Sequence, residues 1–211
     1  MYKFILLLNK FYKHIIFLFI ICGCGFGAYY YFDFLKNDEI KKDGKLYAEY
    51  IFSLNEMQSD KTKEIDLSLI ENKKNNFGAM SKISIAQNLI EEKKFEEAKA
   101  KLQQIFLDNK FNKVLTDYAK FIYAEILLLE KKFDELDIFF EKNNIFANNS
   151  DFIFKDNIYE TAILSYISNN KLDQARNFIA NYKKENNDKK SEKNSMNERI
   201  KQYEIFIKYK N

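Results

Sequence analysis

Proline is absent from this chain, and only five glycines occur in its 211 residues, three of them between Gly23 and Gly27. Those two residue types punctuate strands and tight turns, so their scarcity speaks against a turn-rich β fold. What is abundant instead is Leu, Ile, Lys, Glu and Ala, a mixture that favours long helices. Cysteine and histidine are missing from residues 33–211; Cys22, Cys24 and His14 are the whole supply. That excludes a disulfide framework and a cysteine- or histidine-based zinc site there. It also excludes a nucleophile activated by histidine. Carboxylate or lysine chemistry survives in principle, but no pattern points to it. The sequence therefore predicts no catalytic residue, no cofactor-binding residue, no metal ligand and no small-molecule substrate.

Surplus positive charge is also missing from most of the chain. Residues 1–32 carry Lys3, Lys10 and Lys13 and no acid, which accounts for the whole net charge of +3. The remainder balances 31 basic against 31 acidic groups. A nucleic-acid binder concentrates cations, because neutralising phosphates drives its affinity. The tail from Lys183, with 9 basic and 5 acidic residues, reads as a solvated face rather than a phosphate site. No nucleic-acid partner is expected.

One long uncharged run is present, from Ile15 to Phe32. As a helix it would reach roughly 27 Å, enough for the hydrocarbon core of a bilayer. Tyr29, Tyr30 and Tyr31 stand where an interfacial aromatic belt belongs. The flank before the run is purely basic and the flank after it is mixed, so the N-terminus is expected in the cytoplasm. The domain that follows is then expected outside it, in the periplasm of a bacterium. A cleaved signal peptide is a rival reading, and so is lipidation at Cys24, since Ile21-Cys22-Gly23-Cys24 loosely mimics a lipobox. Gly23 and Gly27 form a small-xxx-small pair that suits close contact with another membrane helix. Gly23-x-Gly25-x-Gly27 has the wrong spacing for a dinucleotide fingerprint, and Cys22-x-Cys24 lacks the redox spacing.

Beyond the run, the periodicity predicts helices over Lys45–Met57 and Ile65–Glu71, then a pattern that recurs. Ala79–Glu92, Lys93-Lys94 and Phe95–Leu107 form a first helix–turn–helix unit. Val114–Glu130, Lys131-Lys132 and Phe133–Lys142 form a second. Phe154–Ser168, Asn169-Asn170 and Leu172–Lys184 form a third. The anchors Phe95, Phe133 and Leu172 recur after 38 and 39 residues. Such self-similarity indicates stacked hairpins, each burying its apolar face on the next. Small residues at Ala86, Ala98, Ala124 and Ala175 suit close helix crossings. A polar stretch follows, and Met196–Tyr209 reads as a capping helix. The expected organisation is a basic segment (1–14), a transmembrane helix (15–32), connecting helices (33–78), the repeats (79–184), and a linker with capping helix (185–211). The fold class is all-α: an N-terminal transmembrane helix, then a tetratricopeptide-like solenoid of about three hairpins.

In a solenoid of that type the first helix of each hairpin lines a concave surface. Here those positions are Met80, Ile83, Gln87 and Ile90, then Tyr118, Phe121, Glu125 and Leu128, then Glu160, Leu164 and Ile167. Large apolar residues dominate the set, as expected of a groove that takes a helix or an unfolded segment. The competing expectation is that the Lys45–Met57 helix or the C-terminal helix fills that groove.

Several segments also resemble a known family, the ancillary subunit of the bacterial Sec translocon of the YfgM type. They are Glu71-Asn72-Lys73 running into Phe77-Gly78-Ala79, Ile85-Ala86-Gln87, Phe95-Glu96-Glu97-Ala98 and Leu102-Gln103-Gln104. Ala162-Ile163-Leu164-Ser165 and Asp173-Gln174-Ala175-Arg176 extend the likeness, which is best from Glu71 to Gln104. The departures from the tetratricopeptide pattern itself are a period above 34 residues, Leu136 in place of a small residue, and no closing proline. The resemblance implies a periplasmic domain tethered beside the SecYEG translocon and cooperating with periplasmic chaperones. It transfers no active-site motif. A second reading is a scaffold for cell-envelope assembly or division that never touches exported chains.

Overall fold

The computed structural model describes residues 29–53, 66–108, 110–147, 150–186 and 195–210. The described residues are helical throughout, with no strand among them. The apolar run from Ile15 and the pair Gly23 and Gly27 fall outside those residues, apart from 29–32. Among the described residues, no helix is long and apolar enough to cross a membrane.

The chain divides into two units, up to Leu67 and from Ser68 onward. In the first, residues 29–53 form one helix, α1. It is already helical at Tyr29, sixteen positions before the expected Lys45 and within the aromatic run. Charges spaced four apart hold the intervening stretch helical, with Lys42 on Asp38 at 2.8 Å and Asn37 donating to Asp33 at 3.1 Å. Tyr29, Tyr30, Tyr31, Phe32 and Phe34 are all exposed at its beginning.

The second unit contains α2 (Ser68–Glu71), α3 (Asn76–Glu91), α4 (Phe95–Phe106), α5 (Lys113–Leu129), α6 (Phe133–Lys142), α7 (Lys155–Ser168), α8 (Leu172–Asn186) and α9 (Ser195–Tyr209). Three antiparallel hairpins result: α3–α4, α5–α6 and α7–α8. Each first helix packs on the next, α3 on α5, α5 on α7 and α7 on α9, and α4 lies against α5 as α8 lies against α9. Thus α9 occupies the place that the first helix of a fourth hairpin would take. It buries Met196, Ile200 and Ile207 in doing so.

The turns inside the hairpins repeat at atomic detail. Lys93, Lys131 and Asn170 adopt positive φ of 61°, 59° and 57°. In each case the following amide closes the helix end, Lys94 on Leu89 O at 2.8 Å, Lys132 on Leu127 O at 2.9 Å and Lys171 on Tyr166 O at 2.8 Å. This left-handed closure usually recruits glycine, because a Cβ costs about 1 kcal/mol there. Lysine at 131 accepts that penalty. Replacing Lys131 with Gly should therefore stabilise the unit by about 0.5 kcal/mol once the greater freedom of the unfolded chain is subtracted. Asn170→Gly should gain less, since asparagine tolerates this conformation. Paired thermal melts check the order; a lower Tm for Lys131→Gly would contradict it.

Two joined cores fill the space between helices. Ile83, Leu102, Ile105, Ala119, Ile122 and Ile126 centre the first, and Leu127, Leu136, Ile158, Ile163, Ile179 and Tyr182 belong to the second. Phe106, Phe121 and Tyr123 pack against both. Ala86, Ala98, Ala124 and Ala175 are completely buried, as close helix crossing requires. The second spacing, of 39 residues, includes a twelve-residue connection after α6, residues 143–154. Ile145 and Phe152 are buried there, and Phe146 sits among Phe140, Tyr159 and Phe178 at 4.9–5.1 Å. Phe146 thereby joins the end of α6 to α7 and α8. Buried Asp117 on α5 ties the same connection down, accepting from the Ile153 amide at 3.1 Å and from Lys113 at 2.6 Å.

Candidate protein-binding site

The candidate face is built by α3, α5 and α7, the first helices of the three hairpins. Not every expected residue reaches it. Ile83 and Ile167 are core residues, 5% and 8% exposed, and cannot line an open groove. Each lies on the side of its helix turned toward neighbouring helices, which apolar spacing alone does not distinguish from the open side. Ile90, Tyr118, Phe121, Leu128 and Leu164 are half-buried, and Gln87 and Glu125 are exposed. Met80 is half-buried as well.

Part of the face is already occupied by the chain itself. Phe154, expected as the first residue of α7, precedes that helix instead. Its ring lies 5.3 Å from that of Tyr118 and stacks on Phe121 at 6.0 Å. Gln87 Nε2 donates to the Tyr118 hydroxyl at 3.4 Å, joining α3 to α5. On α7, Glu160 is taken up by α9: the Tyr203 hydroxyl donates to it at 2.5 Å and Arg199 pairs with it at 3.1 Å. At Glu160 the C-terminal helix thus lies against one of the positions expected to line the groove. Burial and the Glu160 carboxylate together push the Tyr203 hydroxyl up to about 12. What stays accessible is a strip running through Gln87, Ile90, Glu125, Leu128 and Leu164.

The sequence pattern of the tetratricopeptide repeat-like domain family matches residues 7–142, more than half of the chain. The chain belongs to that family. The tetratricopeptide-like match ends at Lys142, where α6 ends. Beyond it, α7 and α8 repeat the turn geometry of the first two hairpins. No curated protein and no solved structure matches the chain. Domains of this family are in general non-enzymatic scaffolds for protein–protein interaction, and no catalytic family is indicated.

Three contributors to this tetratricopeptide-like face were not foreseen from spacing: Phe154, Arg199 and Tyr203. Arg199 and Tyr203 lie about forty residues from Glu160, and no local period connects them. Phe154 carried a signal only as an aromatic residue before a helix, which does not say where its ring turns.

Proposed function

We propose that this chain is a membrane-tethered protein–protein interaction module acting as an ancillary subunit of the Sec translocon, linking export to periplasmic chaperones. The carrying observation is the strip of incompletely buried apolar side chains along α3, α5 and α7 in a tetratricopeptide-like stack. Half-buried leucine and isoleucine along successive first helices suit a helix or an emerging unfolded segment. Two features of the sequence support the tether and its direction: the uncharged run from Ile15 to Phe32 and the purely basic flank before it. The exposed aromatics in the first described turns of α1 suit a bilayer interface. The resemblance to the YfgM-type family supplies the translocon and the chaperones as partners.

Co-purification of the full-length chain from cells in mild detergent tests the proposal. Translocon subunits and periplasmic chaperones should accompany the wild type. Leu128→Asp with Leu164→Asp should lower their recovery about tenfold or more while leaving the helical circular dichroism intact, because two charges then sit on the binding strip. Leu164 is preferred to Phe121, which packs against both cores and stacks on Phe154; Leu128 packs against the second core alone, so intact circular dichroism is a required control. Recovery of envelope-assembly proteins in place of translocon subunits would assign the scaffold role instead.

A further inference from the structure

Carboxylates at the helix seams of the second unit are paired with cations. Glu71 holds Lys101 at 2.7 Å, Asp117 holds Lys113 at 2.6 Å, Glu160 holds Arg199 at 3.1 Å and Glu204 holds Lys183 at 2.6 Å. Glu125 differs. It is exposed near the middle of α5 and makes no ion pair or hydrogen bond among the described residues. Its own helix offers none, because positions three and four away hold Phe121, Ile122, Leu128 and Leu129. Lys120, five positions off, is outside that row. The charged neighbour across the seam is Glu160, a second acid whose oxygens are committed to Tyr203 and Arg199. Partial withdrawal from water, followed by that neighbouring carboxylate, raises the Glu125 pKa.

We propose that Glu125 makes the strip selective for a protein segment carrying a lysine or arginine flanked by apolar side chains. This rests on the reading of the α3–α5–α7 face as the binding site. Glu125 is the one acid on the accessible strip, among the apolar Ile90, Leu128 and Leu164, a composition that calls for a basic side chain carried among apolar ones. An arriving cation compensates a carboxylate that has no partner among the described residues and stands near a second acid, Glu160. A neutral or acidic segment leaves it uncompensated, so the same group rejects as well as attracts.

Fluorescence anisotropy on the full-length chain, kept soluble by a non-ionic amphipol, tests this. The probes are three labelled 14-residue helix-forming peptides of leucine, alanine and glutamine. One carries a central lysine, one norleucine at that position, and one glutamate. The lysine probe should bind the wild type about twofold to fivefold more tightly than the norleucine probe, as an ion pair with an exposed carboxylate provides. Glu125→Gln should erase that difference, and Glu125→Lys should transfer the preference to the glutamate probe. Equal binding of the lysine and norleucine probes, lost together in the Leu128→Asp, Leu164→Asp chain, would overturn the role of Glu125 and leave the face standing. Absence of binding by every probe, or binding that the double variant does not change, would remove the face and this inference with it.

Discussion

Replacing Gly78 with Ala should destabilise the second unit by about 3 kcal/mol, lowering Tm by roughly 6–12 °C. The sign is the informative part. Gly78 lies in the first turn of α3, and in an open helix alanine would stabilise by about 0.5–1 kcal/mol. Here a Cβ would collide with the Lys73 carbonyl oxygen and stand 3.0 Å from the Ile70 carbonyl oxygen. Both obstacles are backbone, which cannot swing aside as a flexible side chain would. The glycine lets the chain leaving α2 pass directly over α3. Two further contacts fix that crossing. Asn75 caps α3 by accepting from the Gly78 amide at 3.0 Å, and the buried Lys82 ammonium donates to the Glu71 carbonyl at the end of α2. Burial lowers the Lys82 pKa, as expected for an ammonium held largely out of water. Urea unfolding followed by circular dichroism measures the effect. A Gly78→Ala chain as stable as the wild type would mean that α2 does not cross α3 in this way.

The other large effect is expected at Glu130, which ends α5. A carboxylate is unfavourable at a helix C-terminus, so its presence needs an explanation. Lys99 on α4 supplies it: its side chain is 6% exposed and its ammonium stands 2.8 Å from Glu130 and 2.7 Å from Glu96. Lys132, in the turn of the second hairpin, closes the group at 2.8 Å from Glu96 and 3.2 Å from Glu130. The four charges thus join the first hairpin to the second. Glu130→Ala leaves a buried ammonium with only the exposed Glu96 and should cost about 3 kcal/mol. Lys132→Ala removes an exposed partner and should cost at most about 1 kcal/mol. Lys99→Met, which removes the buried charge itself, should cost less than Glu130→Ala. A reversed order would show that Lys99 is hydrated rather than dependent on Glu130.

Acid should loosen the same group in a defined range. The Lys132 and Lys99 ammonium groups hold the Glu96 carboxyl down at about 2, below its usual 4.5. A depressed carboxylate contributes stability above its unfolded pKa and loses it as pH falls toward the folded one. The Glu96 contribution should therefore be complete above about pH 5 and fade between about 4.5 and 2. Melts of the wild type and Glu96→Gln should converge across that range.

Most of the helical plan was legible because its signals are local. Phe133–Lys142 lies where the periodicity put it, and the left-handed turn residues fall on the Lys-Lys and Asn-Asn pairs read as turns. Boundaries moved where side-chain capping or charge pairing outweighed composition. α3 begins at Asn76 rather than Ala79, because Asn75 caps it within a stretch that reads as polar loop. α8 runs on to Asn186, two residues into the expected linker. α1 extends back through charged residues whose i,i+4 partners hold a helix that apolar spacing does not mark. The candidate face was half legible. Gln87 and Glu125 are exposed and Leu128 and Leu164 half-buried, whereas Ile83 and Ile167 belong to the core. A buried isoleucine and a groove isoleucine obey the same helical period. Only the position of the neighbouring helices separates them, and contacts such as Phe154 on Phe121 or Tyr203 on Glu160 are set by packing across distant segments.

Photocrosslinking in living cells asks most directly whether the strip along α3, α5 and α7 meets another protein. A photoreactive amino acid placed at Leu128 should give discrete protein adducts, and the same group at Ile138, exposed on α6, should give few. Equal adducts from both positions, or adducts from Ile138 alone, would contradict binding at this face.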